Sequence, residues 1–185
     1  RGRLRLLASC RAVAGFRRVD FVSVHLRRSI QRLSAAPSLC ADPGDCTRDL
    51  RAVQECFCLS ADVTAAFDPS WASAFEKQNG TYAGRGIAIF KYTGSRGKSS
   101  ASDANAELVG DITRMLDANN VAWQIGEMGK IDAGGGGTVA QYMANRNITT
   151  IDAGVPVLSM HSPFETVGKL DCYMTMLGCK AIYMA

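Results

Sequence analysis

The chain has 185 residues, 47% of them hydrophobic and 21% charged, with a formal net charge of +4. That balance suits one soluble globular domain with an ordinary core and argues against extensive disorder. No uninterrupted apolar run approaches the roughly 18 residues that a membrane-spanning helix needs, so no membrane partner is expected.

The charge is uneven. Residues 1–50 carry ten Arg, no Lys and four Asp, a local net of +6, which leaves −2 for residues 51–185. An Arg-rich, acid-poor start raises a nucleic-acid arm or an import leader. Only Phe16 and Phe21 offer aromatic stacking there, so nucleic acid is not the expected partner. The chain opens at Arg1 without Met, Glu first occurs at Glu55 and Lys at Lys77. The expectation is a basic, divergent or truncated segment over 1–55, ahead of the main unit at 56–185. Seven cysteines, at 10, 40, 46, 56, 58, 172 and 179, form neither a CxxC pair nor a zinc-ribbon spacing. Free thiols in a reducing cytoplasm are therefore expected.

In chain order, Phe21 to Leu33 has apolar residues at 22, 24, 26, 30 and 33 with Arg27, Arg28 and Arg32 between them. This predicts an amphipathic helix, although the 22/24/26 alternation also admits a strand start. His25 lies in that basic stretch and nothing supports a ligand role for it. Residues 34–45, with Pro37, Pro43 and Gly44, read as a loop, and 47–55 as a short helix. Cys56 to Leu59 reads as a strand running into Ser60-Ala61-Asp62-Val63.

Beyond it, 87–92 reads as a strand carrying Lys91 near its end, and 95–100 as a polar loop. A helix is predicted over 102–119, with Ser102 or Asp103 as N-cap and Asn119-Asn120 as its stop. Residues 121–125 read as a strand, 138–145 as a helix after Gly134 to Gly137, and 148–151 and 155–158 as short strands. A final helix spans 166–184. Strands alternating with helices imply an α/β fold, a three-layer arrangement whose sheet is covered by helices on both faces.

Two polar residues follow apolar strands, and on spacing alone the plainer reading of each is structural: a hydrogen-bonded core or loop histidine, and a turn or capping aspartate. Val155, Val157 and Leu158 lead into Ser159-Met160-His161-Ser162-Pro163, so an imidazole follows a buried strand at its carboxyl edge, where open α/β sheets place their ligands. Asp62 occupies the equivalent place after its own strand, where a turn-initiating or helix-capping Asp is the plainer alternative. The glycines before Thr138 invite a phosphate-loop reading. The Walker pattern needs Lys and then Ser or Thr after its last glycine, and Gly137 is followed directly by Thr138, so nucleotide binding is disfavoured.

Taken in order, these blocks resemble the aspartyl aminopeptidase/aminopeptidase I family of zinc metallopeptidases. They are Ser60-Ala61-Asp62-Val63, Gly84-Arg85-Gly86 before Ile87 to Lys91, Trp123-Gln124, Asp132-Ala133 with Gly134 to Thr138, and Leu158 to Ser162. The likeness covers the C-terminal part of the catalytic domain, over Cys56 to Ala185. It implies a zinc-peptidase-like partial domain and hydrolysis of N-terminal residues from peptides, with two zinc ions in the complete enzyme.

The resemblance makes Asp62 a carboxylate ligand and His161 an imidazole ligand on the other ion. It sets Asp132, Gly136, Gly137 and Thr138 on the substrate-binding wall and suits Lys91 to an acidic substrate side chain. It further implies a peptide substrate, a homo-oligomer and a cytoplasmic setting. The family's other histidine ligand, its bridging aspartate and its adjacent Glu pair all lie upstream of the Ser60-Ala61-Asp62 block. Here no Glu precedes Glu55 and no Glu-Glu pair occurs. No general base is therefore assigned within this chain, which is expected to be an incomplete fragment, inactive alone. The alternative is a non-catalytic homologue or truncated product acting as an assembly subunit.

Overall fold

The computed structural model describes residues 21–26, 56–91, 94, 96, 103–130 and 132–184. The predicted loop at 34–45, the helix at 47–55 and most of the loop at 95–100 lie outside the described residues.

Five strands make the main sheet: β1 (Phe21–Leu26), β2 (Cys56–Ala61), β4 (Ile87–Phe90), β5 (Trp123–Ile125) and β6 (Thr149–Gly154). Their spatial order is β1-β2-β6-β4-β5. β2 runs parallel to β6 and β4 parallel to β5, while β1–β2 and β4–β6 are antiparallel. The predicted helix at Phe21 to Leu33 is thus a strand over 21–26, and 27–33 lie outside the described residues. The β-branched alternation of Val22 and Val24 settles as a period of two once the backbone can pair with β2.

A second sheet, absent from the sequence reading, has the order β3-β7-β8, with β3 (Thr64–Ala65), β7 (Pro156–Leu158) and β8 (Thr166–Val167). The final helix therefore starts later than predicted. Residues 166–167 pair antiparallel with β7, and α3 (Lys169–Met184) follows.

The helix α1 (Ala106–Ala118) places Leu108, Ile112 and Leu116, spaced i, i+4, i+8, on the sheet. They join Leu59, Ile87, Ile89, Ile151 and Ala153 with Ile182 of α3 in one core. The N-cap is Asn105, whose side-chain oxygen accepts the Leu108 N–H at 2.8 Å, not Ser102 or Asp103. Asp103 is taken up by an ion pair with Lys91, and the Ala104 N–H donates to the Lys91 carbonyl at 2.7 Å. Those bonds hold 103–104 against the end of β4, so the helix begins after them.

The short helix α2 (Ala140–Ala144), two residues later at its start than predicted, packs on β6 and β2. Ile151 and Ala153 face α1 and α3, so by strand alternation Thr150 and Asp152 face the opposite side, where Thr138 meets Asp152. Helices thus cover both faces of an α/β sheet. No helix among the described residues is long and apolar enough to cross a membrane.

Candidate functional site

Asp62 is the first residue beyond β2 and stands half-buried above the centre of the main sheet. Its Oδ1 accepts the Val63 N–H at 2.8 Å, which fixes the carboxylate at the turn into β3. Directly beneath is Gly154, where an added Cβ would come within 1.6 Å of the Asp62 carbonyl oxygen. Only glycine permits that approach, so Gly154 sets the height of Asp62 over the sheet.

Two residues before Gly154, Asp152 is only 3% exposed and pairs in register with Ser60 of β2. The Thr138 hydroxyl donates to Asp152 Oδ2 at 3.0 Å, while Oδ1 accepts no hydrogen bond among the described residues. Burial pushes the Asp152 carboxyl up to about 6; the Ser60 and Thr138 hydroxyls draw it back, and the nearby negative charge of Asp62 adds to the rise. Cys58 lies on the same side of β2 as Ser60. Its thiol is raised to about 11, by burial first and then by the field of Asp152.

His161 lies three residues past β7, in an exposed turn. Ser159 and His161 both adopt left-handed backbone angles, with φ of 57° and 67°. Non-glycine residues hold such angles only where their surroundings impose them. Here the His161 N–H donates to Glu165 Oε1 at 2.6 Å and closes the turn. Asp62 and His161 therefore follow strands of different sheets, joined through β3, which leads away from Asp62 and lies parallel to β7.

A zinc ion takes imidazole nitrogen and carboxylate oxygen and usually four donors at about 2 Å. Asp62 and His161 carry donors of these two kinds. Among the described residues no group of three or more His, Cys, Asp or Glu side chains is placed to hold a metal.

The glycine run is tied down at both ends. The Gly94 N–H donates to the Gly136 carbonyl at 3.1 Å, and Gly135 has a φ of 111°. The buried Thr138 accepts the Ala140 N–H at 3.2 Å while donating to Asp152, so its hydroxyl ties the first residue of α2 and the end of the run to the sheet. Gly137 and Asp132 are exposed. Lys91, at the end of β4, pairs with the carboxylate of Asp103 across a solvent-exposed surface. Gln124 clamps Tyr82 through two backbone bonds, and Arg85 lies over the Tyr82 ring at 4.6 Å.

The sequence reading gave no weight to Asp171. Fully buried in the first turn of α3, its two oxygens accept the Gly84 and Gly86 N–H groups at 2.7 and 2.8 Å. It holds the loop that launches β4. Nothing local in the sequence signals this, because the partners lie 87 and 85 residues away.

Residues 22–183 match the family model described as aminopeptidase I zinc metalloprotease (M18). That match reaches upstream of Cys56 and includes most of β1. A protein of Borreliella burgdorferi named "Probable M18 family aminopeptidase 1" is 52% identical over 125 residues, 68% of this chain and 27% of that protein. The Clostridium acetobutylicum protein of the same name is 46% identical over 144 residues, 78% of this chain and 31% of its own length. The chain thus spans about a third or less of the curated relatives it matches. Among solved structures, aminopeptidase I from Clostridium acetobutylicum superposes with a TM-score of 0.69 at 44% identity, over 76% of this chain and 32% of that one. The M18 aminopeptidase of Thermotoga maritima gives 0.73 at 34% identity, over 83% and 33%.

Proposed function

The chain belongs to the M18 family of zinc metalloproteases, and on that premise we propose that its residues form one side of a zinc-dependent aminopeptidase site that removes N-terminal residues from peptides. The observation that carries this reading is the placement of Asp62 and His161. Each follows the carboxyl end of a strand, and each is fixed by a backbone bond of its own turn. These two would hold metal. Zinc, when bound, polarises the scissile carbonyl and acidifies water.

The chain's other residues bind and orient. Gly136, Gly137 and Thr138 offer backbone groups to an extended peptide, with Asp132 beside them, and Asp152 holds Thr138 in place. We assign Lys91 to an acidic substrate side chain, which displaces Asp103 from it. An exposed ion pair is worth only about 0–1 kcal/mol, so the exchange is cheap. The remaining ligands and the general-base Glu belong to sequence beyond these 185 residues, which makes this chain a fragment of the complete enzyme. The exposed apolar side chains Leu170, Tyr173 and Met176 on α3 support a homo-oligomer. The free thiols Cys58, Cys172 and Cys179 support a reducing, cytoplasmic setting.

A second reading, a non-catalytic assembly subunit, is favoured by the absence of any Glu-Glu pair from the sequence. Calorimetric zinc titration and an aminoacyl-substrate assay on the 185-residue chain address both. The expected result is weak zinc binding, lost in Asp62→Ala and His161→Ala, and no turnover. Chelator-sensitive turnover would show the ligand and base assignments to be wrong. Restoration of turnover by family-length sequence carrying a Glu pair would decide against the subunit reading.

A further inference from the structure

The strand pair that joins the two candidate ligands also floors a cleft that the proposed reaction leaves unused. Ala65 of β3 stands opposite Val157 of β7, and the Ala66 N–H donates to the Val157 carbonyl at 2.8 Å. One wall is Trp71 and Phe75, from the 3-10 segment Pro69–Ala74 and the residue after it; the other is Met160, immediately before His161. The cleft, open on one side, offers about 230 Å³. A cavity of about 150 Å³ holds a benzene ring, so this one has room for a leucine or phenylalanine side chain.

The walls are preformed. Phe75 packs edge-on against Phe67 with ring centres 5.6 Å apart, and Phe67 in turn lies 5.3 Å from Tyr82. Trp71 nevertheless leaves 70% of its surface in water. An indole standing at the rim of an apolar cleft gains by being covered. Asp68, also lining the cleft, is fixed by the Ser70 N–H, which donates to its Oδ1 at 2.8 Å. Its negative charge repels an acidic side chain. The cleft therefore suits an uncharged side chain.

We infer that this cleft is a subsite for an uncharged apolar side chain of the peptide substrate. The inference rests on the aminopeptidase reading above for its substrate, and its test does not require turnover.

The test uses the 185-residue chain with Trp123→Phe, which leaves Trp71 as the one remaining indole of two, in the presence of a chelator. The probes are the amides of N-acetyl-leucine, N-acetyl-glycine and N-acetyl-glutamate. The leucine amide should shift Trp71 emission to the blue, with a dissociation constant at least about tenfold below that of the glycine amide. The glutamate amide should bind more weakly than either. Trp71→Ala removes an exposed side chain, and calorimetry on it should show the leucine-over-glycine preference gone. Equal binding of the three amides, no response of Trp71, or a preference that survives Trp71→Ala overturns the subsite. Such a failure leaves the aminopeptidase reading standing, because no metal or turnover enters the measurement. Conversely, leucine-selective binding by a chain whose family-length form hydrolyses nothing refutes that reading and keeps the cleft.

Discussion

Removing the Asp171 carboxylate should unfold the chain at far lower denaturant, and the size of the effect follows from its two bonds. Each is charge-assisted, a class worth about 1.5–3 kcal/mol. The two donors are not equivalent. Gly84 is exposed and its N–H can turn to water, so that bond counts at the low end. Gly86 is buried with a φ of 87°, and an added Cβ there would come within 2.0 Å of the Ala122 carbonyl oxygen. Its loop cannot relax, so the orphaned N–H bears its full desolvation penalty. Asp171→Ala should therefore cost about 3–4 kcal/mol, a fall of roughly 1–2 M in the urea midpoint at an ordinary slope. Asp171→Asn keeps one acceptor but turns an amide donor toward a donor, and should cost about 2 kcal/mol. The measurement is urea unfolding followed by tryptophan fluorescence, with hydrogen exchange at the Gly86 amide as the local readout. A loss below about 0.5 kcal/mol for Asp171→Ala would refute the argument. Such a result would mean that the carboxylate's desolvation cancels its bonds; an Asn variant as damaged as the Ala variant would instead refute the separate weighting of the two bonds, since the acceptor that Asn keeps would then contribute nothing.

Asp152→Asn should act in the opposite direction. With a folded-state value near 6 against an unfolded 3.8, the folded chain binds more protons between those pH values. Stability therefore falls as pH rises through that window and stays level above it. The ceiling is about 3 kcal/mol, so Asp152→Asn should stabilise the metal-free chain by about 1–3 kcal/mol at pH 7 and converge with the parent below pH 4; chemical denaturation across pH with a chelator present checks this, and a gap constant with pH would sink it. In an enzyme of full family length, Lys91→Met should abolish a roughly ten- to hundredfold preference in kcat/KM for acidic side chains, leaving neutral substrates nearly unchanged. An equal fall for both substrate classes would mean that Lys91, through Asp103, only holds the start of α1.

What the sequence showed, and what it hid, divides by the range of the interaction. The body of α1 was legible because Leu108, Ile112 and Leu116 repeat at the helical period, while its start was misread because the obvious cap, Asp103, is bound to Lys91. The period-two reading of Val22 and Val24 was visible but lost to the basic residues beyond them, since an edge pairing with β2 leaves no local mark. The second sheet escaped notice because β3 and β8 have two residues each, too few for any period to show. Asp62 and His161 were chosen as candidates because each closes an apolar strand and sits in a block that resembles the family's. The network of Ser60, Thr138 and Asp152 could not be picked out, because it exists only once β2 and β6 pair in parallel register and α2 settles on that face. The same register lays Gly154 under Asp62. A buried carboxylate with one oxygen unbonded among the described residues thus stands directly behind the candidate metal edge. Its cost to the fold is borne because Thr138, the end of the glycine run and the Asp62 turn are all positioned by the strand that carries it.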